Sequence, residues 1–235
     1  VLWQNEKYCL PVTVHRGESH THSVQVAADT SSQFVTSLML IAPMFEHGLT
    51  IELTGDVISL PYIAMSASVM RSFGANVRIA DNRIIVIDGG GYVGCQFAVE
   101  PDASSASYPF AAAAVAGGRV RVNGMRLNMM QGDSRLIDVL RQMGCEISED
   151  QVGITVSRDA NNPLQGIDID MSEISDLVPT LAIVAMFAES PTRIRGVGFI
   201  RNKESDRIGD LAREMRGLGA NVVEHEDGLE ISPQA

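Results

Sequence analysis

Apolar and polar positions follow the same order three times along this chain, in units of roughly seventy residues. Each unit begins with an aspartate and small polar residues, and Asp29, Asp102 and Asp176 lie 73 and 74 residues apart. A long apolar run then predicts a helix in each unit: Phe34–Phe45, Tyr108–Ala116 and Leu177–Ala188. A short strand-like stretch closed by glycine follows each run: Leu49–Gly55, Val120–Gly124 and Thr192–Gly196.

A second helix in each unit is predicted to end just before a glycine: Gly74, Gly144 and Gly219. Glycine stops a helix because it readily adopts the left-handed conformation after the last turn. Two strands joined by a turn of acidic residues, asparagine or glycine come next in each unit: Asn76–Ala80 with Ile84–Asp88, Glu146–Ser148 with Gly153–Ser157, and Asn221–Glu224 with Leu229–Ser232.

The first predicted helix of each unit is apolar on nearly every face, which indicates burial on all sides. The second helix, such as Ser134–Met143, has a polar side, and the strands alternate apolar and polar positions. This pattern predicts helices inside and sheets outside, the reverse of a Rossmann fold, in which a buried parallel sheet lies between helices. The alternative is an ordinary α+β domain whose repetition is accidental.

The composition is typical of a soluble globular protein, since 45% of the 235 residues are hydrophobic and 20% are charged. The net charge of −11 disfavours nucleic-acid binding, which depends on basic surface. The apolar runs are too short or too interrupted to span a bilayer. Cys9, Cys95 and Cys145 lie far apart and none has a zinc-ligand spacing, so a reducing cytoplasm is expected.

Two hydroxyls stand at the predicted start of the first apolar helix, in the sequence Ser31-Ser32-Gln33. Unpaired backbone N–H groups and about half a positive charge from the helix dipole favour an anion such as phosphate there. The alternative is that serine only caps the helix. Ser59-Leu60-Pro61-Tyr62 likewise predicts a cap followed by an early proline at the start of a second helix.

Charged residues cluster at the predicted start of the last second helix, in Lys203-Glu204-Ser205-Asp206-Arg207. The i, i+4 spacing puts Lys203 and Arg207 on one helix face, which suits an anionic substrate; the alternative is a solvated helix start. Asp176 precedes a very apolar run and is expected to cap its helix. If it lined a cleft instead, it could act as a general base, given a raised pKa or a nearby substrate hydroxyl.

Two apparent motifs are rejected. Gly89–Gly94 fits the pattern G-x-G-x-x-G, but Cys95–Glu100 after it predicts a strand, whereas a dinucleotide-binding loop must lead into a helix. His20 and His22 lie in a polar loop without a third ligand, so no metal site is predicted.

Five ordered motifs resemble the 3-phosphoshikimate 1-carboxyvinyltransferase (EPSP synthase) family: Ser31–Gln33, Gly55–Tyr62, Asp102–Tyr108, Met130–Asp133 and Lys203–Arg207. The resemblance covers almost the whole chain. It implies an α/β fold of repeated βαβαββ-type units with buried helices and outward sheets, in two domains with the substrates between them. Residues 1–100 would be part of one domain and residues 101–235 part of the second, with a crossover near Pro101.

The resemblance implies transfer of an enolpyruvyl group from phosphoenolpyruvate to the 5-hydroxyl of shikimate 3-phosphate, by addition and elimination, without a metal or cofactor. Ser31, Ser32 and Ser59 would then hold the 3-phosphate. Gln33 would bridge both substrates, and Tyr62 would line the shikimate pocket.

The same resemblance gives the charged residues their roles. Asp176 would accept the proton of the 5-hydroxyl, and Glu204 would be a candidate for proton transfer. Lys203 would contact shikimate 3-phosphate, and Arg207 would grip phosphoenolpyruvate, because the planar fork of arginine suits carboxylate or phosphate. The family further implies a cytoplasmic enzyme that is a monomer in its full-length form.

The chain also departs from the family. Phe199 stands where some members present an asparagine to the substrate, and Leu60 where a lysine is sometimes found. Without an initiator methionine, and without the family's early Lys-Ser and Arg segment, its Asn-Ala-Gly-Thr loop and its late Asp-His-Arg segment, the chain is expected to be a fragment, inactive alone. Two alternatives remain open: the sister transferase that acts on UDP-N-acetylglucosamine, and a non-catalytic anion-binding module.

Overall fold

The structure is a computed structural model that describes residues 2–7, 9–15, 21–29 and 31–233. A short antiparallel pair, β1 (Leu2–Trp3) and β2 (Val12–Thr13), comes first. The elements of the first unit follow in chain order: β3 (Ser23–Ala27), α1 (Ser32–Ile41), β4 (Leu49–Thr54), α2 (Leu60–Ser72), β5 (Val77–Ala80) and β6 (Ile84–Ile87).

The rest of the chain contains two further units. The elements of the second unit are α3 (Ala103–Ala116), β7 (Gly118–Asn123), α4 (Leu136–Gln142), β8 (Glu146–Glu149) and β9 (Gly153–Arg158). Those of the third unit are β10 (Asp168–Asp170), α5 (Val178–Ala185), β11 (Thr192–Arg195), α6 (Gly209–Gly217), β12 (Asn221–His225) and β13 (Gly228–Ser232).

The sheets of the first and third units have the same topology. Their strand orders are β3-β4-β6-β5 and β10-β11-β13-β12, and in both only the first pair is parallel. Both units are therefore βαβαββ, as the family resemblance implied. The second unit has a three-stranded antiparallel sheet, β7-β9-β8, and begins with its helix.

The strand predicted at Cys95–Glu100 is wrong, because residues 91–102 have no regular secondary structure. This segment instead crosses from the first sheet to the second unit without pairing with a strand. It is anchored by side chains: the Tyr92 hydroxyl donates to Leu40 O at 2.8 Å, and the Phe97 and Phe73 rings lie 5.6 Å apart. No helix follows Gly94 until Ala103, which agrees with the rejection of a dinucleotide-binding loop.

Local sequence accounts for the turns of the repeated unit. Gly74 follows α2 with φ of 83°, the left-handed conformation predicted for a helix stop. Asp81 and Asn82 between β5 and β6 have φ of 50° and 54°, which fits a tight turn between antiparallel strands. Aspartate and asparagine tolerate this conformation better than other residues with a Cβ atom.

The buried apolar side chains form two clusters. One belongs to the first unit and is centred on Val35, Met39, Ile51, Ile63 and Ile85. The other is shared by the second and third units, where α3 packs against α5, and includes Phe110, Leu140, Met143, Leu181 and Ile194. In the described ranges, no helix is both long and apolar enough to cross a membrane.

The prediction that every first helix is buried on all sides is wrong. The helix α1 packs on α2 and β4, while Phe34, Leu40 and Ile41 remain 60%, 47% and 48% exposed. The other two first helices are also partly exposed, since Tyr108 of α3 is 69% and Ile183 of α5 is 40% exposed. The helices α3 and α5 cover each other across a shared core, but within the described residues no neighbouring unit covers the outer side of α1.

Replacing Asp102 tests the predicted start of α3. Its Oδ1 accepts the backbone N–H groups of Ser104 and Ser105 at 3.0 and 3.2 Å, so Asp102→Ala should lower the free energy of unfolding by about 1 kcal/mol. The hydrogen bond from Ser105 holds the pKa of Asp102 below its usual 3.8. The loss should therefore be present above pH 3.8 and fade as the pH falls below it. Urea unfolding at several pH values measures this loss of stability. The control is Asp102→Asn, which keeps the cap.

Candidate active site

The start of α1 presents two serines and a glutamine to a cavity. Ser31 is the N-cap, and its Oγ accepts the N–H of Gln33 at 3.2 Å, so the capping prediction is confirmed. Ser32 is buried in the first turn, whereas Gln33 is exposed. Thr30 of the same motif lies outside the described residues. Capping therefore occupies one lone pair of Ser31 and leaves the rest of the helix start for a ligand.

Ser59 precedes α2 at the N-cap position, but its side chain makes no capping hydrogen bond. That part of the sequence prediction is wrong, because Ser59 has a left-handed backbone, with φ of 56° and ψ of 35°. The side chain is nevertheless buried, at 8% exposure, and lines the same cavity as Ser31 and Ser32. A residue with a Cβ atom in this conformation is uncommon and tends to occur at functional sites.

Two adjoining cavities are lined by all the residues to which the family resemblance assigns a substrate contact or a catalytic role. The first has a volume of about 360 Å³ and is lined by Ser31, Ser32, Gln33, Ser59, Tyr62, Asp176 and Lys203, among others. The second, of about 260 Å³, is lined by Ser31, Gln33, Phe34, Asp176, Asn202, Lys203, Glu204 and Arg207. The cavities share four residues, so they form one continuous cleft between the first and third units. Its size suits a small ligand.

Asp176 holds the two cations of the cleft. Its Oδ1 accepts from Lys203 Nζ at 2.7 Å and from Arg207 Nη1 at 2.8 Å. Lys203 is only 16% exposed and Arg207 29%. A shared carboxylate offsets both the repulsion between these cations and their loss of hydration.

Burial acts to raise the pKa of the Asp176 carboxyl, but the hydrogen bond and charge of Lys203, together with those of Arg207, outweigh burial and lower it below the usual value. Asp176 is therefore ionised at neutral pH. Its pKa is not raised, which was one of the two conditions given above for a general base. Its position is also not that of a cap. It lies in a 3-10 turn, Ser175–Leu177, before α5, and its side chain points to the cations.

The segment Lys203–Arg207 does not begin a helix, so the i, i+4 argument for it is wrong. A 3-10 turn ends at Asn202, and α6 begins only at Gly209. Lys203 and Arg207 still converge, because the irregular backbone between them folds around Asp176. Charge pairing, rather than helical spacing, brings them together.

Two further residues modify this charge cluster. Glu204 is 69% exposed and accepts from Arg207 Nη2 at 2.5 Å. A hydrogen bond from its own backbone, followed by the contact with Arg207, lowers the pKa of Glu204. Phe199 occupies the position at which some family members present an asparagine to the substrate. Its ring centroid lies 5.9 Å from Lys203 Nζ, within reach of a cation–π interaction. Arg207 is thus shared by two carboxylates, and Lys203 is supported by an aromatic face.

Asp133 is a buried carboxylate to which the sequence assigned no role, although its motif was recognised. It is 3% exposed and accepts the Tyr62 hydroxyl at 2.8 Å and the Ser104 hydroxyl. Tyr62 belongs to α2, whereas Ser104 lies in α3, so Asp133 links the first and second units. Burial, followed by Asp133 and Asp176, raises the pKa of Tyr62 far above its usual value. An aspartate after glycine in an otherwise neutral stretch, Met129–Gly132, was the only signal for it.

No group of three or more His, Cys, Asp or Glu side chains within the described residues could hold a metal ion. His22 stacks edge-on against His47, with ring centroids 5.1 Å apart, and His20 lies outside the described residues. The described groups of the cleft that can attract an anion are hydroxyls, the N–H groups at the start of α1 and the side chains of Lys203 and Arg207.

The sequence model of the family described as EPSP synthase (3-phosphoshikimate 1-carboxyvinyltransferase) matches residues 1–235, and the chain belongs to this family. The 3-phosphoshikimate 1-carboxyvinyltransferase of Nostoc punctiforme is 44% identical over 227 residues, which cover 95% of this chain and 52% of that protein. The protein of the same description from Methanospirillum hungatei is 40% identical over 229 residues, with coverage of 96% and 53%.

Solved structures show the same fold. EPSP synthase from Acinetobacter baumannii has a TM-score of 0.70 at 26% identity, over 91% of this chain and 49% of that one. The enolpyruvyl transferase NikO from Streptomyces tendae has a TM-score of 0.62 at 20% identity, over 82% and 44%, a likeness of fold alone. The chain spans about half the length of the curated relatives it matches.

Asp176→Asn should bind inorganic phosphate more tightly than the unaltered chain. Asp176 competes with any anion for Lys203 and Arg207, and removing one nearby unit charge should favour phosphate by about 1 kcal/mol or more, roughly fivefold in Kd. Calorimetry measures the affinity. Asp168→Asn is the matched control, because it also removes a negative charge and an arginine partner but lies outside the cleft. Equal or weaker phosphate binding by Asp176→Asn would contradict the competition.

Tyr62 should stay protonated in the folded protein up to about pH 11, because burial and two carboxylates oppose its ionisation. Tyr62→Phe should therefore leave the ultraviolet absorbance rise of tyrosinate unchanged in the native state. In concentrated urea, where all four tyrosines are solvated, the same substitution should remove about a quarter of the rise. A native-state rise that falls by the same share would show that Tyr62 ionises normally.

Proposed function

We propose that this chain forms part of the cleft of an enzyme that transfers an enolpyruvyl group from phosphoenolpyruvate to the 5-hydroxyl of shikimate 3-phosphate. One observation carries the proposal. The hydroxyl-rich helix start at Ser31 and the cation pair on Asp176 come from opposite ends of the chain and face one cleft. The family membership and the names of the relatives support the same reaction.

The 3-phosphate of the acceptor fits the side of the cleft formed by the first unit. Ser31, Ser32 and Ser59 present hydroxyls there, beside the N–H groups and positive dipole end of α1. Gln33 lies in both cavities and is placed to bridge two ligands, and Tyr62 supplies a fixed neutral hydroxyl. Among the described residues of the first unit, no lysine or arginine lines this cavity, and its cation is Lys203 of the third unit.

Asp176 is the candidate base for the 5-hydroxyl, but its charge is already shared with Lys203 and Arg207. A base so strongly paired is a weak one, since its pKa is lowered. Anionic substrates relieve this pairing, because their phosphate and carboxylate groups take up the same cations. Substrate binding thus raises the basicity of Asp176 at the moment when a hydroxyl reaches it.

The donor would bind on the side of Arg207, whose planar guanidinium suits a carboxylate or a phosphate. In the addition step, the oxygen of the 5-hydroxyl bonds to C2 of phosphoenolpyruvate, its proton goes to Asp176, and C3 gains a proton. In the elimination step, C3 loses a proton, the double bond re-forms and phosphate leaves. Glu204 and Lys203 are the candidates for the proton transfers at C3, with Lys203 also contacting the acceptor.

We further propose that the first 100 residues belong to one domain and residues 101–235 to another. The separation of the apolar clusters supports this division, since one contains residues 28–87 and the other residues 103–231. The cleft then lies between domains, a common location for small-molecule sites. The hydrogen bond between Tyr62 and Asp133 would join the two domains.

Release of phosphate from phosphoenolpyruvate tests the proposal, measured for the natural protein that carries this sequence. Turnover should require shikimate 3-phosphate. If UDP-N-acetylglucosamine were the better acceptor, the sister transferase would be correct, and binding of shikimate 3-phosphate without any turnover would indicate a non-catalytic module. Either result would overturn the proposed reaction.

Asp176→Ala should lower kcat of that protein by about 10² or more, the usual range for a lost general base. Asp168→Ala, on the outer sheet face, is the control and should leave kcat within about twofold. Single-turnover measurements separate the chemical step from product release. An unchanged kcat for Asp176→Ala would remove this carboxylate from the mechanism.

A further inference from the structure

The two cations of the cleft lie on a segment without regular secondary structure, between Asn202 and Ile208. An irregular segment loses conformational entropy when it is held in one arrangement, so its order requires specific contacts. Asp176 supplies contacts from the cleft side. On its other side, the segment is held by residues that line neither cavity.

Arg201 supplies several of these contacts, because its guanidinium donates hydrogen bonds to four different residues on this side of the segment. Nη1 lies 2.8 Å from both Asp206 Oδ2 and Glu224 Oε1. Nη2 donates to His225 O at 2.7 Å, and Nε donates to Glu226 O at 3.1 Å. The arginine side chain is 23% exposed, and it ties the segment to the β12–β13 hairpin.

Asp206 connects the same arginine to α6. Its Oδ1 accepts the N–H groups of Ile208 and Gly209 at 3.1 and 2.9 Å, and its carbonyl accepts the N–H of Asp210 at 2.9 Å. It therefore fixes the first turn of α6 directly after Arg207. Neither Arg201 nor Asp206 lines either of the two cavities.

Space around this carboxylate is limited by Gly209. A Cβ atom at Gly209 would lie 2.6 Å from Asp206 Oδ2 and 3.1 Å from Asp206 Cγ. Both distances are shorter than the van der Waals contact that two such atoms allow, so any larger residue must displace the carboxylate. Because the backbone of Gly209 is helical, alanine would otherwise favour the helix here. The glycine thus permits the close contact between Asp206 and the start of α6.

We propose that Arg201 and Asp206, with Glu224 and Gly209, form a brace that positions Lys203 and Arg207 for anionic ligands without contacting those ligands. The brace spans the segment, since Arg201 precedes Lys203 by two residues and Asp206 adjoins Arg207. If it opens, both cations shift together. A displacement of about 1 Å at such groups is enough to reduce activity about 10²-fold. The ligand part of this inference rests on the proposed function, whereas the positioning part does not.

Hydrogen exchange of backbone amides tests the positioning part. Asp206→Ala and Gly209→Ala should each increase exchange of the amides of Arg207 and Ile208 at least about tenfold relative to the unaltered chain, because these amides donate to Ile200 O and Asp206 Oδ1. Asp206→Asn should restore most of the protection, because an amide oxygen still accepts from the helix start. Asp210→Asn is the matched control: it removes a carboxylate from the same first turn and breaks an exposed pair with Arg213, but it does not touch the brace.

Gly209→Ala still tests the brace if Asp206→Ala fails to fold, because Gly209→Ala changes no charge and raises the helix propensity at this position. Exchange that is unchanged in Gly209→Ala, or raised equally in Asp210→Asn, would overturn the brace. Urea unfolding of each variant separates a local opening of the segment from a loss of global stability.

Ligand affinity tests the second part. In the natural protein, Gly209→Ala should raise KM for shikimate 3-phosphate and phosphoenolpyruvate about tenfold or more, while the urea midpoint stays within error of the unaltered protein. Asp206→Asn should recover most of the affinity for these substrates that Asp206→Ala loses. A merely structural role would not predict this recovery. Faster exchange with unchanged KM would overturn the role in ligand positioning. An unaltered protein that does not turn over these substrates would contradict the proposed function, and the exchange result would still decide the brace.

Discussion

The cleft depends on one oxygen atom, Asp176 Oδ1, which accepts hydrogen bonds from Lys203 and Arg207 at the same time. Without it, two partly buried cations would lie close together with no counter-charge. They would repel each other and would have lost part of their hydration without compensation. The carboxylate stabilises the cleft because it supplies the negative charge that these cations are suited to bind. Any anionic ligand must therefore compete with it, and a successful ligand releases Asp176 for other chemistry.

The other wall of the cleft has the opposite character. Ser31, Ser32 and Ser59 contribute neutral hydroxyls, and Tyr62 is fixed as a neutral donor by its bond to Asp133. These groups do not change their charge when a ligand binds, so they set position and orientation. The wall with Lys203 and Arg207 supplies charge that can be redistributed. A rigid neutral wall and an adjustable charged wall together provide both orientation and electrostatic response, which are the main contributions expected of a preorganised site.

The sequence predicted those features that depend on neighbouring residues or on repetition. The helix stop at Gly74, the turn at Asp81-Asn82 and the cap at Ser31 follow from local backbone preferences, and the three recurring units fixed their order along the chain. The failures depend on tertiary structure. The stretch around Cys95–Glu100 is held by side-chain contacts with residues distant in the sequence rather than by strand pairing. The exposure of α1 is decided by the neighbours that pack on it.

For the charged segment Lys203–Arg207, the sequence correctly predicted that Lys203 and Arg207 lie together, but the helical geometry expected for them is wrong. Helical spacing was expected to align Lys203 with Arg207, but an irregular backbone wraps around Asp176 and brings them together instead. Such a segment needs support that a helix would have given through its own hydrogen bonds. Arg201 gives that support from outside the cleft, where its partners are two carboxylates and two carbonyls and no ligand competes for it. We therefore propose different roles for the two arginines: Arg207 would exchange partners when an anion binds, and Arg201 would keep its partners so that Arg207 stays in position.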